Sequence, residues 1–230
     1  MDEERLEPHH RRAVVRQSLS VGLATSAYGV SFGALSVGSG LSVWQSVVLS
    51  ALLFSGGSQF ALVGILGAGG SGVAAIATST LLGVRNGLYA LQVSRILHTT
   101  GWKRLAAAHL TIDESTAVAI GQPTRPAGRA GFWVTGVVVY LGWNLATLVG
   151  ALLGNALGDP RVYGFDAAAA AAFCALLWPR LGSRDAMATA AVAAVLAAVL
   201  APAAPPGIPV LVAALAAVAV GLLPERRAAA

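Results

Sequence analysis

Three long stretches of this chain carry no charged side chain: residues 17–84, 130–158 and 186–224. A helix that crosses the hydrocarbon core of a bilayer needs roughly 20 apolar residues, and each of these stretches is longer than that. Only 11% of the 230 residues are charged and the mean hydropathy is +0.72, whereas soluble domains are about one quarter charged. The sequence therefore predicts an integral membrane protein that crosses a bilayer several times.

The predicted fold is an all-α, polytopic transmembrane helix bundle of about seven spans, with at least one glycine-broken or re-entrant segment in its N-terminal half. Turns rich in Gly and Pro separate apolar runs near residues 18–38, 42–66, 73–97, 131–153, 165–180, 186–202 and 208–223. We divide the chain into a polar N-terminus at 1–17, a single transmembrane domain at 18–224 and a tail at 225–230. The transmembrane domain includes a polar segment at 98–130.

Arginines mark the predicted orientation, because cytoplasmic loops of membrane proteins are enriched in Lys and Arg. They occur near both ends of the chain and in one late turn, as Arg11, Arg12, Arg16, Arg180, Arg184, Arg226 and Arg227. Both termini are therefore predicted in the cytoplasm. The basic residues lie at the ends of apolar segments and form no stripe, so nucleic acid is not predicted as a partner.

One further arginine, Arg129, also falls on the cytoplasmic side, so an even number of crossings separates it from Arg16. The sequence shows three strong spans between these two residues. Two interpretations follow: either one segment re-enters without crossing, or the weakly polar segment 105–121 crosses as a fourth span.

The segment from Phe54 to Phe60, with the sequence FSGGSQF, predicts a broken helix in the middle of a span. Two adjacent glycines weaken a helix by about 1 kcal/mol each relative to alanine, and the serines and the glutamine can satisfy the freed backbone groups. The N-terminal end of such a half-helix attracts an anionic group, for example the carboxylate of an amino acid. The candidate substrate-binding residues are Ser55, Gly56, Gly57, Ser58, Gln59 and Phe60, with Phe54 and Phe60 lining an apolar pocket.

The alternative interpretation of these glycines is a tight helix crossing, since small residues let two backbones approach closely. The same physical argument applies to Gly29 and Gly33, which lie four residues apart and share one face of a helix. For that earlier pair, close packing is the favoured prediction.

Arg85 lies within an otherwise apolar run, next to Asn86. An arginine in the middle of a bilayer costs at least about 2.5 kcal/mol on insertion scales, so it is not expected to face lipid. It is predicted to form a structural or gating ion pair with Asp113 or Glu114, to contact a substrate carboxylate, or to extend to the interface. We include Arg85 and Asn86 among the candidate substrate-binding residues.

Two adjacent carboxylic acids, Asp113 and Glu114, are the candidates for proton coupling or gating. A carboxyl group held in a low-dielectric site binds its proton more tightly and can exchange it near neutral pH. The alternative is structural, because Thr111 and Glu114 have the spacing of a helix capping box.

No enzymatic activity is predicted. An intramembrane serine protease needs a His or Lys base within the membrane, whereas His9, His10, His98 and His109 all lie in polar segments. The chain has no CxxC motif and no cluster of His and Cys, so neither a metal site nor a cofactor is predicted.

Five short blocks resemble, in order and spacing, the AzlC family, the large subunits of bacterial branched-chain amino-acid exporters. They are Phe32-Gly33, Gly40-Leu41-Ser42 with Trp44, Ser55 to Phe60, Val84-Arg85 with Leu88-Tyr89, and Asp113-Glu114. The resemblance covers about residues 20–120, while the C-terminal half agrees only in length and hydrophobicity. The block around the paired glycines is its most specific part.

This resemblance implies proton-driven export of leucine, isoleucine, valine and similar apolar amino acids across the bacterial cytoplasmic (inner) membrane. It also implies a second, small membrane subunit of the AzlD type. The family commonly has His after the arginine where this chain has Asn86, so coupling or specificity is expected to differ. Two alternatives stay open: an exporter of another small metabolite or amine, and a membrane scaffold subunit without a transport path.

Overall fold

The computed structural model of this protein describes residues 8–157, 174, 177–178 and 181–221. Within these residues all regular secondary structure is helical, which confirms the all-α prediction. The helices are α1 (Pro8–Ala27), α2 (Gly29–Gly38), α3 (Val43–Leu52), α4 (Gly56–Gly67), α5 (Gly72–Leu97), α6 (Trp102–His109), α7 (Asp113–Ile120), α8 (Arg125–Leu157), α9 (Arg184–Leu200) and α10 (Ile208–Gly221). Most of the span predicted at 165–180, and the tail at 225–230, lie outside the described residues.

Two helical stretches among the described residues are long and apolar enough to cross a bilayer. They are His9–Gly38, which comprises α1 and α2, and Arg125–Leu157, which is α8. The apolar helices α3 and α4 have 10 and 12 residues, well short of the roughly 20 that a crossing needs. By length and composition the described chain thus has two membrane-length helices where the sequence predicts seven spans.

The 33-residue helix α8 is the axis of the bundle, and α1, α2, α3 and α7 pack along it. Glycines permit the closest of these contacts. A Cβ atom on Gly33 would lie 2.6 Å from the backbone nitrogen of Ala151, and one on Gly29 would lie 3.2 Å from the carbonyl oxygen of Trp143. The predicted packing role of Gly29 and Gly33 is therefore confirmed.

Small polar side chains are buried inside the bundle beside its apolar core, and many large apolar side chains lie on the outer surface. Buried hydroxyl pairs join neighbouring helices, namely Ser18 with Thr135 (2.9 Å), Ser36 with Ser46 (2.6 Å) and Ser50 with Thr147 (3.2 Å). On the outer surface, Leu88 and Leu91 of α5 and Leu141 and Leu145 of α8 are 61–67% exposed. Apolar patches of this kind are unfavourable in water but natural against lipid, where hydrogen bonds between helices add stability.

The glycine-rich segment forms the predicted break. Helix α3 ends at Leu52, Ser55 is extended (φ −158°, ψ 100°), and α4 begins at Gly56. This arrangement confirms a discontinuous helix in the N-terminal half.

A second break, not predicted from the sequence, separates α6 from α7 at residues 110–112. The expected capping box of Thr111 and Glu114 is wrong, because the Thr111 hydroxyl donates to the Ala107 carbonyl oxygen at 2.7 Å. Instead, the backbone N–H of Ile112 donates to the Ser115 hydroxyl oxygen at 3.1 Å. Ser115, and not Glu114, therefore supplies the side chain that caps the start of α7.

Candidate functional site

A cavity lies where the two helix breaks meet the joint between α1 and α2 and the middle of α8. It contains about 500 Å³ of space free of protein atoms, a figure that includes the open space at its mouth. Seven of the ten predicted site residues line it: Ser55, Gly56, Gly57, Phe60, Arg85, Asp113 and Glu114. The other three, Ser58, Gln59 and Asn86, are not among its lining residues.

One wall of the cavity is the N-terminal end of α4, formed by Ser55, Gly56 and Gly57. No side chain caps this end, and the first backbone N–H groups of a helix have no acceptor within the helix. A Cβ atom on Gly56 would lie 3.3 Å from the Trp143 ring, so glycine leaves room there. Such an end presents partial positive charge and N–H donors, the two features that bind an anionic group.

Arg85 reaches the cavity from α5 and pairs with Asp113 of α7, with 3.1 Å between Nη1 and Oδ2. The two side chains are 26% and 14% exposed. Of the three predicted roles of Arg85, the ion pair is the one that the structure shows. The Nε atom of Arg85 is buried without a hydrogen-bond partner among the described residues, so the guanidinium retains a donor for a further acceptor.

Glu114 has a different environment from the acid beside it. Its Oε1 atom accepts a long hydrogen bond of 3.5 Å from the Thr25 hydroxyl of α1, and no basic side chain of the described residues lies within 4 Å of its carboxylate. Because two carboxylic acids and one guanidinium line the cavity, its walls carry an excess of one negative charge when both acids are ionised. The described residues bring together no three His, Cys, Asp or Glu side chains that could hold a metal ion.

Aromatic rings form the apolar side of the cavity. The Trp143 ring lies 5.5 Å from Tyr28 and 6.2 Å from Phe60, centroid to centroid, and both contacts are edge-on. Phe54, Ile112 and Val139 complete this side. The sequence reasoning missed Trp143, because nothing in its spacing distinguishes it from other aromatic residues in apolar runs.

Gln59 stabilises the break between α3 and α4 from outside the cavity. It is fully buried, and its amide nitrogen donates to the carbonyl oxygens of Ser50 (3.2 Å) and Leu53 (2.6 Å) at the end of α3. Its amide oxygen accepts from Trp143 Nε1 at 2.8 Å. All three bonds are made within the protein, so the structure gives Gln59 a position that holds α3, α4 and α8 together.

Ser58 and Asn86 are also turned away from the cavity. The Ser58 hydroxyl is fully buried and accepts from the Ser55 hydroxyl at 3.1 Å. The amide oxygen of Asn86 is buried without a hydrogen-bond partner among the described residues. Neither side chain is placed to contact a molecule in the cavity of this structure.

Replacing Gln59 by alanine is expected to lower the thermal stability of the purified protein. The change removes the partner of the Trp143 N–H and of the Ser50 carbonyl oxygen, while the Leu53 carbonyl oxygen keeps its bond from the Ser55 N–H. Each buried group left unpaired costs about 1–3 kcal/mol. Thermal unfolding in detergent measures the effect as a lower Tm. The matched control is Gln92→Ala on α5, whose side chain is exposed. Equal Tm values for the two variants would contradict the supporting role of Gln59.

Comparison with known proteins identifies the family. The family model described as AzlC protein matches residues 20–157, a range that includes all residues lining the cavity. The match extends beyond the range of about 20–120 expected from the short blocks. No solved structure matches this chain.

Two similar proteins come from Helicobacter pylori strains J99 and 26695, and both are described as uncharacterized membrane proteins. They are 25% and 26% identical to this chain over 140 residues. Each alignment covers 60% of this chain and 61% of the relative, so the chain spans about three fifths of the length of the curated relatives it matches. Because the family model covers more than half of the chain, this membrane protein belongs to the AzlC family.

Proposed function

We propose that this chain is the transporting subunit of a secondary transporter that exports branched-chain or related apolar amino acids. The observation that carries the proposal is one cavity that combines an arginine, an unpaired carboxylate, an uncapped helix end and an aromatic wall. Each feature complements one part of an apolar amino acid. The protein binds and moves its substrate and does not transform it, so we propose no enzymatic role.

The substrate carboxylate is bound by the N-terminal end of α4 and by the free donor of Arg85. The ammonium group takes the side of Asp113 and Glu114, where negative charge is in excess. The apolar side chain packs against Phe54, Phe60 and Trp143. Ser58 and Gln59 contribute by positioning the break, and Asn86 stands where the family commonly has histidine.

The ion pair between Arg85 and Asp113 is proposed as a gate. It joins α5 to α7 across the edge of the cavity, and a substrate carboxylate competes with Asp113 for the guanidinium. Binding of substrate thereby weakens the contact between the two helices. Glu114 is proposed as the proton-coupling group.

We further propose a small membrane subunit of the AzlD type as partner and the bacterial cytoplasmic (inner) membrane as location. We propose that the chain crosses the membrane several times with both termini in the cytoplasm, because arginines flank its apolar segments near both ends. Family membership supports the partner and the membrane location.

Efflux from living cells tests this function. Cells that take up leucine- and valine-containing dipeptides accumulate the free amino acids, and we expect faster efflux and smaller internal pools when this chain is expressed together with its small subunit. Expression of either subunit alone is the control. Expression of an unrelated membrane protein of similar size corrects for the effect of membrane-protein overexpression on the cells. Unchanged leucine and valine pools, with both subunits present in the membrane, would contradict export of branched-chain amino acids.

The two carboxylic acids in the cavity wall favour a second candidate, an exporter of small apolar amines. An amine lacks the carboxylate that Arg85 and α4 would bind, so it uses only the acidic and aromatic sides. Unchanged amino-acid pools together with faster efflux of 3-methylbutylamine would select this alternative. No transport of either compound would leave the scaffold role.

A further inference from the structure

We propose that the coupling proton and the ammonium group of the substrate bind in turn to the same carboxylate, that of Glu114, and that Asp113 takes no part in this exchange. This inference rests on the proposed transport function and assigns its coupling to one residue. The exchange is balanced: a protonated Glu114 meets an ammonium ion, the ammonium pairs with the carboxylate, and one proton leaves to solvent. The reverse exchange returns the carrier to its protonated form.

The two acids of the cavity differ in their partners. Asp113 has the guanidinium of Arg85 at 3.1 Å, whereas Glu114 accepts a hydrogen bond of 3.5 Å from the uncharged hydroxyl of Thr25. Of the two, Glu114 is therefore the acid that no basic side chain of the described residues contacts within 4 Å. A cationic group of a ligand therefore gains more binding free energy beside Glu114 than beside Asp113.

An uncompensated carboxylate inside a membrane protein is unstable, because burial strongly disfavours the charged form unless a cation or proton neutralises it. A proton and an ammonium ion each bring one positive charge to the same oxygens. One carboxylate can accept only one of them, so the two ligands exclude each other. This exclusion makes loading of substrate and loading of the proton alternatives, which is the condition for exchange transport.

The residues that surround Glu114 indicate that it is the acid that exchanges the proton for the ammonium group. Thr25 and Tyr28 face it from α1 and the joint after it, and Arg85 and Asp113 are the charged residues that act on it. Helix α8 contributes Val139 and Trp143 to the cavity wall, and the N-terminal end of α4 contributes uncharged residues. The rings of Tyr28 and Trp143 also suit an ammonium ion, because aromatic faces attract cations.

Proton release on binding tests the proposal. The purified full chain is titrated with leucine in weakly buffered detergent solution, and a pH indicator records the protons released while calorimetry records the leucine bound. We expect about one proton released per leucine where Glu114 is protonated, and a Kd that rises about tenfold for each pH unit of acidification there. The Glu114→Gln variant should release none, and its Kd should lose the pH dependence.

Two other variants complete the design. Asp185→Asn, on the exposed first turn of α9, is the matched control and should behave as the unaltered protein. Asp113→Asn weakens leucine binding, but each leucine that binds should still displace a proton. Proton release that persists in Glu114→Gln, or that disappears in Asp113→Asn at saturating leucine, would overturn the assignment.

Analogues of leucine distinguish a failure of this inference from a failure of the proposed substrate. They also keep the test informative if the Glu114→Gln variant no longer binds leucine. 4-Methylpentanoate lacks the ammonium group, so its binding should displace no proton from Glu114 and should survive the Glu114→Gln change. 3-Methylbutylamine lacks the carboxylate but should displace a proton. If leucine does not bind but the amine displaces a proton, the proposal of an amino-acid substrate is wrong, whereas the proposal that proton and ammonium share Glu114 is supported. If neither leucine nor the amine displaces a proton on binding, the shared carboxylate is wrong.

Discussion

Replacement of Arg85 by alanine is expected to lower leucine efflux by about tenfold or more, a loss of at least about 1.4 kcal/mol in the rate-limiting step. The change removes the guanidinium that pairs with Asp113 at 3.1 Å, and a carboxylate that loses its cation in a low-dielectric site becomes strongly unfavourable. It also removes the guanidinium Nε, the buried donor that is free for a substrate carboxylate. Efflux is compared at equal amounts of protein in the membrane.

The matched control is Arg95→Ala in the last turn of the same helix, where the side chain is exposed and flux should be unaffected. The double variant Arg85→Ala/Asp113→Ala separates two causes. Recovery of flux in the double variant would show that Arg85 only neutralises Asp113, while continued loss would indicate direct contact with substrate. Full flux in the single variant would exclude both roles.

Replacement of Gly150 by valine is expected to abolish stable folding, so that little protein is recovered from the membrane. The backbones of α2 and α8 touch at this position: a Cβ atom on Gly150 would lie 2.7 Å from the carbonyl carbon of Val30 and closer still to its oxygen. Backbone atoms cannot rotate away as a side chain can, so the helices must separate, at a cost beyond the about 1–3 kcal/mol of ordinary overpacking.

A glycine without such a neighbour is the control. Gly87 of α5 is exposed, and a Cβ atom there would meet nothing within 4 Å. Gly87→Val should therefore reach the membrane in normal amounts, because it meets no backbone. Membrane protein levels and detergent-solubilised Tm compare the two variants, and equal recovery of both would show that the α2–α8 contact is looser than the structure indicates.

Much of the fold and part of the site were predictable, because they depend on local chemistry. Long charge-free stretches exclude water-soluble folds whatever the helices pack against. Adjacent glycines flanked by serines and a glutamine weaken a helix wherever they occur, so the break after Leu52 was one of the two structures predicted from these residues, beside a tight helix crossing. An arginine among apolar residues requires a partner, and Asp113 and Glu114 were the nearest acids in the sequence.

The tertiary structure decided which residues meet. It paired Arg85 with Asp113 and left Glu114 to Thr25, a choice that depends on how α1, α5 and α7 are oriented and that no spacing encodes. It turned Gln59 away from the cavity toward Trp143, a residue 84 positions later. The capping box at Thr111 failed for a local reason, because its hydroxyl donates to the carbonyl oxygen of Ala107, four residues earlier. Sequence determines which groups need a partner, and packing of helices distant in the chain selects the partner.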